Sequence, residues 1–371
     1  MALMPFAWMR GLTLWLRPLR ALVARGWLRE SDVDAWLALL HPALRLNRVM
    51  AQVRARQWVA DDMLALTLRA NGNWGGAQPG QHLQLYLQRN GVRLSRSYSL
   101  TALHADGSLE IAIKRQPGGR VSPYLLERLE VGELLELGPV YGELSWPEQA
   151  SGVLLLAAGS GITPLLGLLR AALAQGCSAP ISLLHYVREQ GQRAFVAELQ
   201  ALQGQYANLQ VRWSLSGATA DGAELRGRFA AEHLESIAGL AQRSVLACGP
   251  AGFVGQVQQW WQGARGQGEL QVEAFTPPAP SADISRRAVR LGFARSHRVA
   301  EADNQRSLLE QAEAQGLKPA HGCRQGICAS CTCTLLSGVV RDLRSGALFS
   351  EPGQQIRLCV SAPHSDMEID L

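Results

Sequence analysis

A chain of 371 residues is long enough to bury two or three separate cores, and a hydrophobic content of 47% with 18% charged residues excludes a long disordered portion. The net charge of +5 is too small to argue for a nucleic-acid partner. No stretch reads as a membrane span: the most apolar one, Val153 to Leu169, is interrupted by Gly159, Ser160, Gly161, Thr163 and Pro164.

From Met1 to Arg29 there are five arginines (Arg10, Arg17, Arg20, Arg25, Arg29) and no acid, with Trp8, Trp15, Trp27 and Trp36 in or beside the stretch. A helical projection places Trp8, Leu12, Trp15, Leu19, Leu22 and Val23 on one side and Arg10, Arg17, Arg20 and Arg25 on the other. Such a helix either makes a peripheral membrane contact through residues 1–29 or packs its apolar side onto the neighbouring domain. Both readings stand. Pro18 is expected to kink or split it, and arginine every few residues argues against a cleaved signal peptide. Ser31 to Leu40 reads as a further helix, capped by Ser31 and ended by Pro42.

From about Leu46 to Trp146 the pattern changes to short segments: Ala51–Val59, Met63–Arg69, His82–Gln88, Leu109–Lys114 and Leu134–Leu137. Gly and Pro turns separate several of them, which predicts an antiparallel β-barrel. Inside it, Arg96-Ser97-Tyr98-Ser99-Leu100 puts Arg96 and Tyr98 on one strand face, a cation for a phosphate and a ring for a flat partner. Lys114-Arg-Gln-Pro-Gly118-Gly119-Arg120-Val121-Ser122-Pro then leads into a helix over Tyr124–Leu129, where two glycines and a Ser cap make an anion site of backbone N–H groups. Either motif occurs by chance; the pair at this separation carries the reading.

Here the chain resembles the ferredoxin–NADP reductase superfamily. The resemblance implies that Arg96, Ser97, Tyr98, Ser99, Lys114, Gly118, Gly119, Val121 and Ser122 hold a flavin, FAD rather than FMN. Tyr98 would stack on the isoalloxazine, catalytic Ser99 would lie near its N5, and Arg96 with the turn would bind the pyrophosphate.

Residues Ser151 to Phe275 alternate apolar strands with helical stretches, as in a parallel sheet covered by helices. The strand Gly152–Ala158 runs into Gly159-Ser-Gly161-Ile-Thr163-Pro164 and a helix over Leu165–Ala174, a phosphate cradle at the carboxyl edge of the sheet. Ending in Pro164, the turn departs from the dehydrogenase fingerprint and looks like the superfamily's pyridine-nucleotide turn. The strand Ile181–Val187 ends at Arg188, with Arg193 nearby. Either guanidinium could bind an adenosine 2′-phosphate, favouring NADPH over NADH, or be a solvated loop charge. By the same resemblance Cys248-Gly249-Pro250 lies beside the nicotinamide, with Cys248 a catalytic residue, and Glu273-Ala274-Phe275 matches the segment that touches the flavin.

Thr276 to Ala282 is a Pro-rich linker. Beyond it come a strand, Ala288–Phe293, a partner around Val299, and a helix over Ser307–Gln315 capped by Ser307. Cys323, Cys328 and Cys331 follow the spacing C-x4-C-x2-C, and Cys359 returns after 27 residues. That is the plant-type arrangement for a [2Fe–2S] cluster; zinc sites favour paired knuckles, and only one C-x2-C occurs here. Gly322, Gly326, Ala329 and Ser330 leave room for backbone N–H groups to face the sulfurs. Cys333 is expected to be a buried small residue and no ligand; with Cys177 and Cys248 it is scattered, which fits a reduced cytoplasmic compartment. The order of elements resembles the ferredoxin β-grasp.

These readings give a multidomain α/β plus β chain: 1–45 amphipathic helical segment, 46–148 FAD-binding barrel, 149–275 NAD(P)-binding domain, 276–284 linker and 285–371 [2Fe–2S] domain. A hydride donor and a one-electron cluster in one chain require a flavin between them. Flavin, nicotinamide and C-terminal ferredoxin in that order resemble the reductases of Rieske-type ring-hydroxylating oxygenases. They also resemble the donors of membrane fatty-acyl-CoA desaturases, above all the electron-transfer partner of stearoyl-CoA 9-desaturase. The basic N-terminus favours the desaturase, with the protein cytoplasmic and peripheral at the membrane face. A slow redox-sensing module is the reading from another class.

Overall fold

The computed structural model describes residues 15–89, 92–217, 225–264, 266–275 and 285–371. Trp8, Leu12 and Arg10 of the first helical projection, and the Pro-rich linker, lie outside the described residues.

The first helices are α1 (Arg17–Ala24) and α2 (Glu30–Leu40). Trp15 is helical, Leu16 is a turn and α1 starts anew at Arg17, so the helical stretch is split as expected, with Pro18 in the first turn of α1, where its missing N–H removes no helical bond. Ser31 does not cap α2. The N-cap is Arg29, without a side-chain cap bond, and the Ser31 hydroxyl instead donates to Asp32 Oδ1 at 3.3 Å. Leu16, Val33, Leu37, Ala43, Leu44 and Leu46 form a buried cluster against which Leu19, Val23 and Leu134 pack. The apolar side of α1 is therefore spent on packing, and Arg20 fastens it by donating to Leu46 O and Asn73 Oδ1, both from Nη2, at 2.9 and 2.8 Å.

Six antiparallel strands close the barrel: β1 (Val49–Ala60), β2 (Met63–Ala70), β3 (His82–Arg89), β4 (Val92–Leu103), β5 (Ser108–Lys114) and β6 (Leu134–Tyr141), in the order β1-β2-β5-β4-β3-β6. Alternate leucines fill it, among them Leu64, Leu66, Leu68, Leu83, Leu85, Leu100 and Leu109. Leu125 and Leu126 of α3 (Ser122–Glu127) join that core.

The next sheet has the order β10-β9-β8-β7-β11-β12, from β7 (Val153–Ala158), β8 (Ile181–Val187), β9 (Leu209–Leu215), β10 (Leu225–Arg226), β11 (Ser244–Gly249) and β12 (Leu270–Ala274). β8, β11 and all of β7 but its last residue are buried, as parallel strands covered on both faces must be. Its helices are α4 (Ile162–Ala174), α5 (Val196–Gln205) and α6 (Ala251–Ala264).

At the carboxyl end, β13 (Ala288–Phe293), β14 (Arg298–Asp303), β15 (Thr332–Ser337), β18 (Gln355–Arg357) and β20 (Met367–Ile369) make a five-stranded sheet. β16 (Val340–Asp342), β17 (Leu348–Phe349) and β19 (Ser361–Pro363) make a second, three-stranded one. Helix α7 (Leu308–Ala314) is capped by Ser307 as expected, and Glu310 completes a capping box.

The chain divides into two compact units, Met1–Cys248 with Trp261–Gln271 and Gly249–Trp260 with Val272–Leu371. Barrel and nucleotide sheet, read from sequence as two domains, thus fall largely in one unit. Helix α4 lies against β4, and a Cβ placed on Gly167 would come within 2.4 Å of the Leu100 carbonyl oxygen.

Candidate functional site

In the barrel, β4 pairs with β3 so that Arg96 faces Leu85, Ser97 faces Gln84, Tyr98 faces Leu83 and Ser99 faces His82. Directly opposed residues share a face, so Arg96 and Tyr98 lie on one side of β4 and Ser97 and Ser99 on the other. Tyr98 packs against the barrel core, and burial, slightly opposed by Arg96, pushes its hydroxyl above the ordinary tyrosine range. Its ring is a neutral platform. The Arg96 guanidinium is exposed, held by a bond from Nη1 to Ser95 O at 2.6 Å.

Ser99 is buried, its Oγ 2.9 Å from His82 Nδ1. The His82 ring lies 5.8 Å from that of Tyr141, whose hydroxyl donates to Ser97 Oγ. Sequence reasoning missed both His82 and Tyr141, since only the register of β3, β4 and β6 brings them to the Arg96–Ser99 strand.

The turn after β5 has its two glycines for different reasons. Gly118 adopts φ +69° with open space where a Cβ would point, whereas a Cβ on Gly119 would press to 2.9 Å from Gln116 O. Ser122 does not cap the helix: it is the first residue of α3, and its Oγ accepts from Gln116 N at 2.9 Å, tightening the turn. Val121 is buried in the barrel core. Lys114 Nζ stands 3.4 Å from Asp62 Oδ2, which also accepts from Gln192 Nε2 at 3.1 Å.

The nucleotide turn is a single 3₁₀ turn, Gly159–Gly161, after which α4 begins at Ile162 rather than Leu165. Thr163 and Pro164 therefore sit in its first turn, where Thr163 Oγ1 donates to Ser160 O at 2.9 Å and proline costs no bond. Gly159 adopts φ +56°. Its carbonyl accepts from His185 Nε2 at 2.9 Å, so the proton of the neutral ring is on Nε2, and the buried Nδ1 has no partner among the described residues. Burial lowers the His185 pKa to about 4, with the Gly159 bond opposing and Lys114 assisting. Lys114 Nζ lies 3.5 Å from where a Gly159 Cβ would stand. His185 thus holds the turn through its Gly159 bond, a role the motif alone did not reveal.

Arg188 is exposed and its carbonyl accepts from Gly217 N at 2.7 Å. The Arg193 guanidinium lies 5.6 Å from the Trp213 ring centroid. Cys248 pairs with Ala157 across β11 and β7, at the sheet edge where Gly159 begins, and is fully buried. Gly249 O accepts from Phe275 N at 2.8 Å, and Pro250 O receives bonds from Phe253 and Val254 at the start of α6.

The four thiols expected at the cluster come together. Cys323 Sγ accepts from Gln325, Ile327 and Cys328 N–H at 3.3, 3.4 and 3.3 Å. Cys328 Sγ accepts from Cys323 N and Cys359 Sγ from Gly326 N, both at 3.2 Å, and Cys331 and Cys359 sulfurs are 3.2 Å apart. Bonds from the Cys328 and Cys359 thiols hold Cys323 far below the usual thiol range. Gly326 is needed twice over: φ is +74°, and a Cβ would lie 2.6 Å from Val360 Cγ2. Arg324 and Ala329 also adopt positive φ to complete the curl. Cys333 is buried on β15, its thiol pushed up by burial. Gln325 Nε2 donates to Phe275 O, so the cluster loop touches the segment that ends the nucleotide sheet.

Three family models match in succession: an oxidoreductase FAD-binding domain over residues 50–146, an oxidoreductase NAD-binding domain over 155–259 and a 2Fe-2S iron-sulfur cluster binding domain over 293–364. The chain is 31% identical to an NADPH oxidoreductase of Mycobacterium tuberculosis, covering 91% of this chain and 88% of that one. It belongs to the [2Fe–2S]-containing flavoprotein oxidoreductases.

As a member it is an NAD(P)H-dependent electron-transfer enzyme that uses FAD and a [2Fe–2S] cluster. It is also 29% identical to the glycine betaine monooxygenase reductase subunit of Pseudomonas aeruginosa, over 79% of this chain and 87% of the relative. A solved phthalate dioxygenase reductase shares the fold, with a TM-score of 0.56 over 87% of this chain and 98% of that one at 23% identity. The residues present fit the three groups. Gly118 leaves open space where a side chain would stand, Gly159 adopts a left-handed conformation, and the Cys323, Cys328 and Cys359 sulfurs already receive the backbone N–H bonds that cluster sulfurs require.

Proposed function

We propose that this flavoprotein is the reductase component of an oxygenase system, drawing electrons from NADPH and passing them singly to the oxygenase. The observation that carries this is the close contact of α4 with β4, which brings the Gly159–Pro164 turn and the Arg96–Tyr98 face into one unit. FAD supplies the change from two-electron acceptance to one-electron donation that the cluster needs. In the protein's share of the work, Tyr98 offers a neutral ring, and Arg96 with the Lys114–Ser122 turn holds the pyrophosphate. Gly159, Gly161, Thr163 and Pro164 seat the nucleotide phosphates. Arg188 and Arg193 receive the 2′-phosphate, in keeping with the relative named as an NADPH oxidoreductase. Ser99 and Cys248 flank the reacting rings, with His82 fixing the Ser99 hydroxyl. Cys323, Cys328, Cys331 and Cys359 hold the cluster.

For the acceptor, the relative that serves a monooxygenase and the order of modules support an oxygenase of the Rieske type. A membrane acyl-CoA desaturase is the second reading, favoured by the aromatic side chains left exposed near the N-terminus. Reconstitution tests both: the purified protein with NADPH is mixed either with a Rieske-type oxygenase or with desaturase-containing membranes, and product is measured. Product from the first supports the leading reading; product only from the membranes replaces it with the second, and none from either removes the oxygenase assignment.

A further inference from the structure

Ten large apolar side chains stand exposed among the described residues, and five of them, Trp15, Trp27, Trp36, Leu39 and Leu40, fall between residues 15 and 40. Scattered exposed leucines need no explanation, but here the exposures are 82%, 72% and 55% for the three tryptophans and 81% for Leu39. Trp36, Leu39 and Leu40 are spaced i, i+3 and i+4 on α2 and so share a face. Val33 and Leu37 make a different one, buried in the cluster under α1. Trp15 and Trp27 bracket α1, whose own apolar side chains Leu19 and Val23 are turned into that same cluster. Of the side that a helical projection of residues 8–23 selects, Trp15 remains outside, joined by Trp27 and the α2 residues that the projection does not include.

Its cations outnumber its acids, with Asp32 exposed and Glu30 half-buried at the start of α2. Arg17, Arg25 and Arg29 are exposed, and Arg25 reaches to 6.0 Å from the Trp27 ring centroid. The chain also continues from this surface as apolar sequence: residues 1–14 run into Trp15 with Arg10 as their one charged side chain. Tryptophan rings with arginines beside them match the headgroup level of a bilayer, where an apolar ring and a cation are both accommodated, and anionic lipid adds attraction for each cation.

We propose that Trp15, Trp27 and the Trp36–Leu39–Leu40 face of α2, with Arg17, Arg25 and Arg29, dock the protein on an anionic lipid surface. The inference rests on this surface alone and holds for either acceptor.

The test is co-sedimentation of the full-length holoenzyme with phosphatidylcholine vesicles and with mixed phosphatidylcholine–phosphatidylglycerol vesicles. The holoenzyme is expected to pellet with the mixed vesicles, less so at high salt. Replacing Trp36, Leu39 and Leu40 together by Ser should weaken partitioning at least about tenfold while NADPH-dependent ferricyanide reduction is unchanged. A second variant, Arg17→Glu with Arg25→Glu and Arg29→Glu, alters only exposed positions and should lose the preference for anionic vesicles. Absence of pelleting with either vesicle overturns the proposal, as does equal pelleting of the Ser variant. So does a dimer that the Ser variant converts to monomer, which gives the face to a second copy. A Ser variant that melts earlier without vesicles also overturns it, because the face is then covered by residues 1–14 of the same chain.

Discussion

Gly167 of α4 and Leu100 of β4 touch backbone to backbone: a Cβ on Gly167 would lie 2.4 Å from the Leu100 carbonyl oxygen. Only glycine permits that approach, and Leu100 directly follows Ser99. The contact sets how far the nucleotide turn stands from the strand that carries Tyr98.

Gly167→Ala should therefore push α4 and β4 apart. Overpacking of this kind costs about 1–3 kcal/mol, and misplacing the donor slows hydride transfer on the order of tenfold or more. Anaerobic flavin reduction by NADPH, followed with the melting temperature, checks both effects.

Arg170 reinforces the same junction. Its guanidinium donates to Thr101 O at 2.9 Å, to Glu110 at 2.7 Å and, through two nitrogens, to Glu198 at 2.6 Å each. Thr101 Oγ1 also donates to Glu110 at 2.7 Å. Removing the cation strands two carboxylates, so Arg170→Met should cost about 3 kcal/mol. Adding Glu110→Gln should recover part of that loss, measured by denaturant unfolding of the flavin-loaded protein.

His185 gives stability a pH dependence of known sign. Its folded pKa is about 4 against 6.5 for the free side chain, so between those values the unfolded chain binds the extra proton. Stability from this residue is whole above pH 6.5, falls as the pH drops, and levels off below about 4, a loss of about 3 kcal/mol. His185→Gln keeps a donor for Gly159 O and should flatten the difference between unfolding at pH 7 and pH 5. The same variant should preserve NADPH affinity better than His185→Leu.

Serine at Cys323, Cys328, Cys331 or Cys359 should spare NADPH-driven reduction of ferricyanide and abolish reduction of cytochrome c, with loss of the cluster's visible absorption. Cys333→Ala, two residues past Cys331, should retain both activities and the spectrum.

What the sequence disclosed was local. The C-x4-C-x2-C run, the Arg96–Tyr98 pair and the Ser307 cap are each written within a few residues, and the structure forms them. The misreadings were local competitions: Ser122 and Ser31 each look like a cap, but their hydroxyls find Gln116 N and Asp32 instead. The contacts that assemble the site were not legible because their partners are far apart in the chain. Gly167 with Leu100, Arg170 with Glu110, His185 with Gly159 and Gln325 with Phe275 all depend on how finished elements pack. For the first helix the sequence left membrane contact and packing both open, since a projection shows an apolar side but not that Leu44 and Leu46 lie against it.

Electrons should flow in order, from nicotinamide to flavin to a cluster held by Cys323, Cys328, Cys331 and Cys359. Stopped-flow absorbance of the holoenzyme mixed anaerobically with NADPH tests this order most directly. Flavin should bleach first and the cluster after a lag, and a Cys359→Ser protein should show only the first phase at an unchanged rate. Cluster bleaching without a lag, or a flavin phase lost with Cys359, would contradict it.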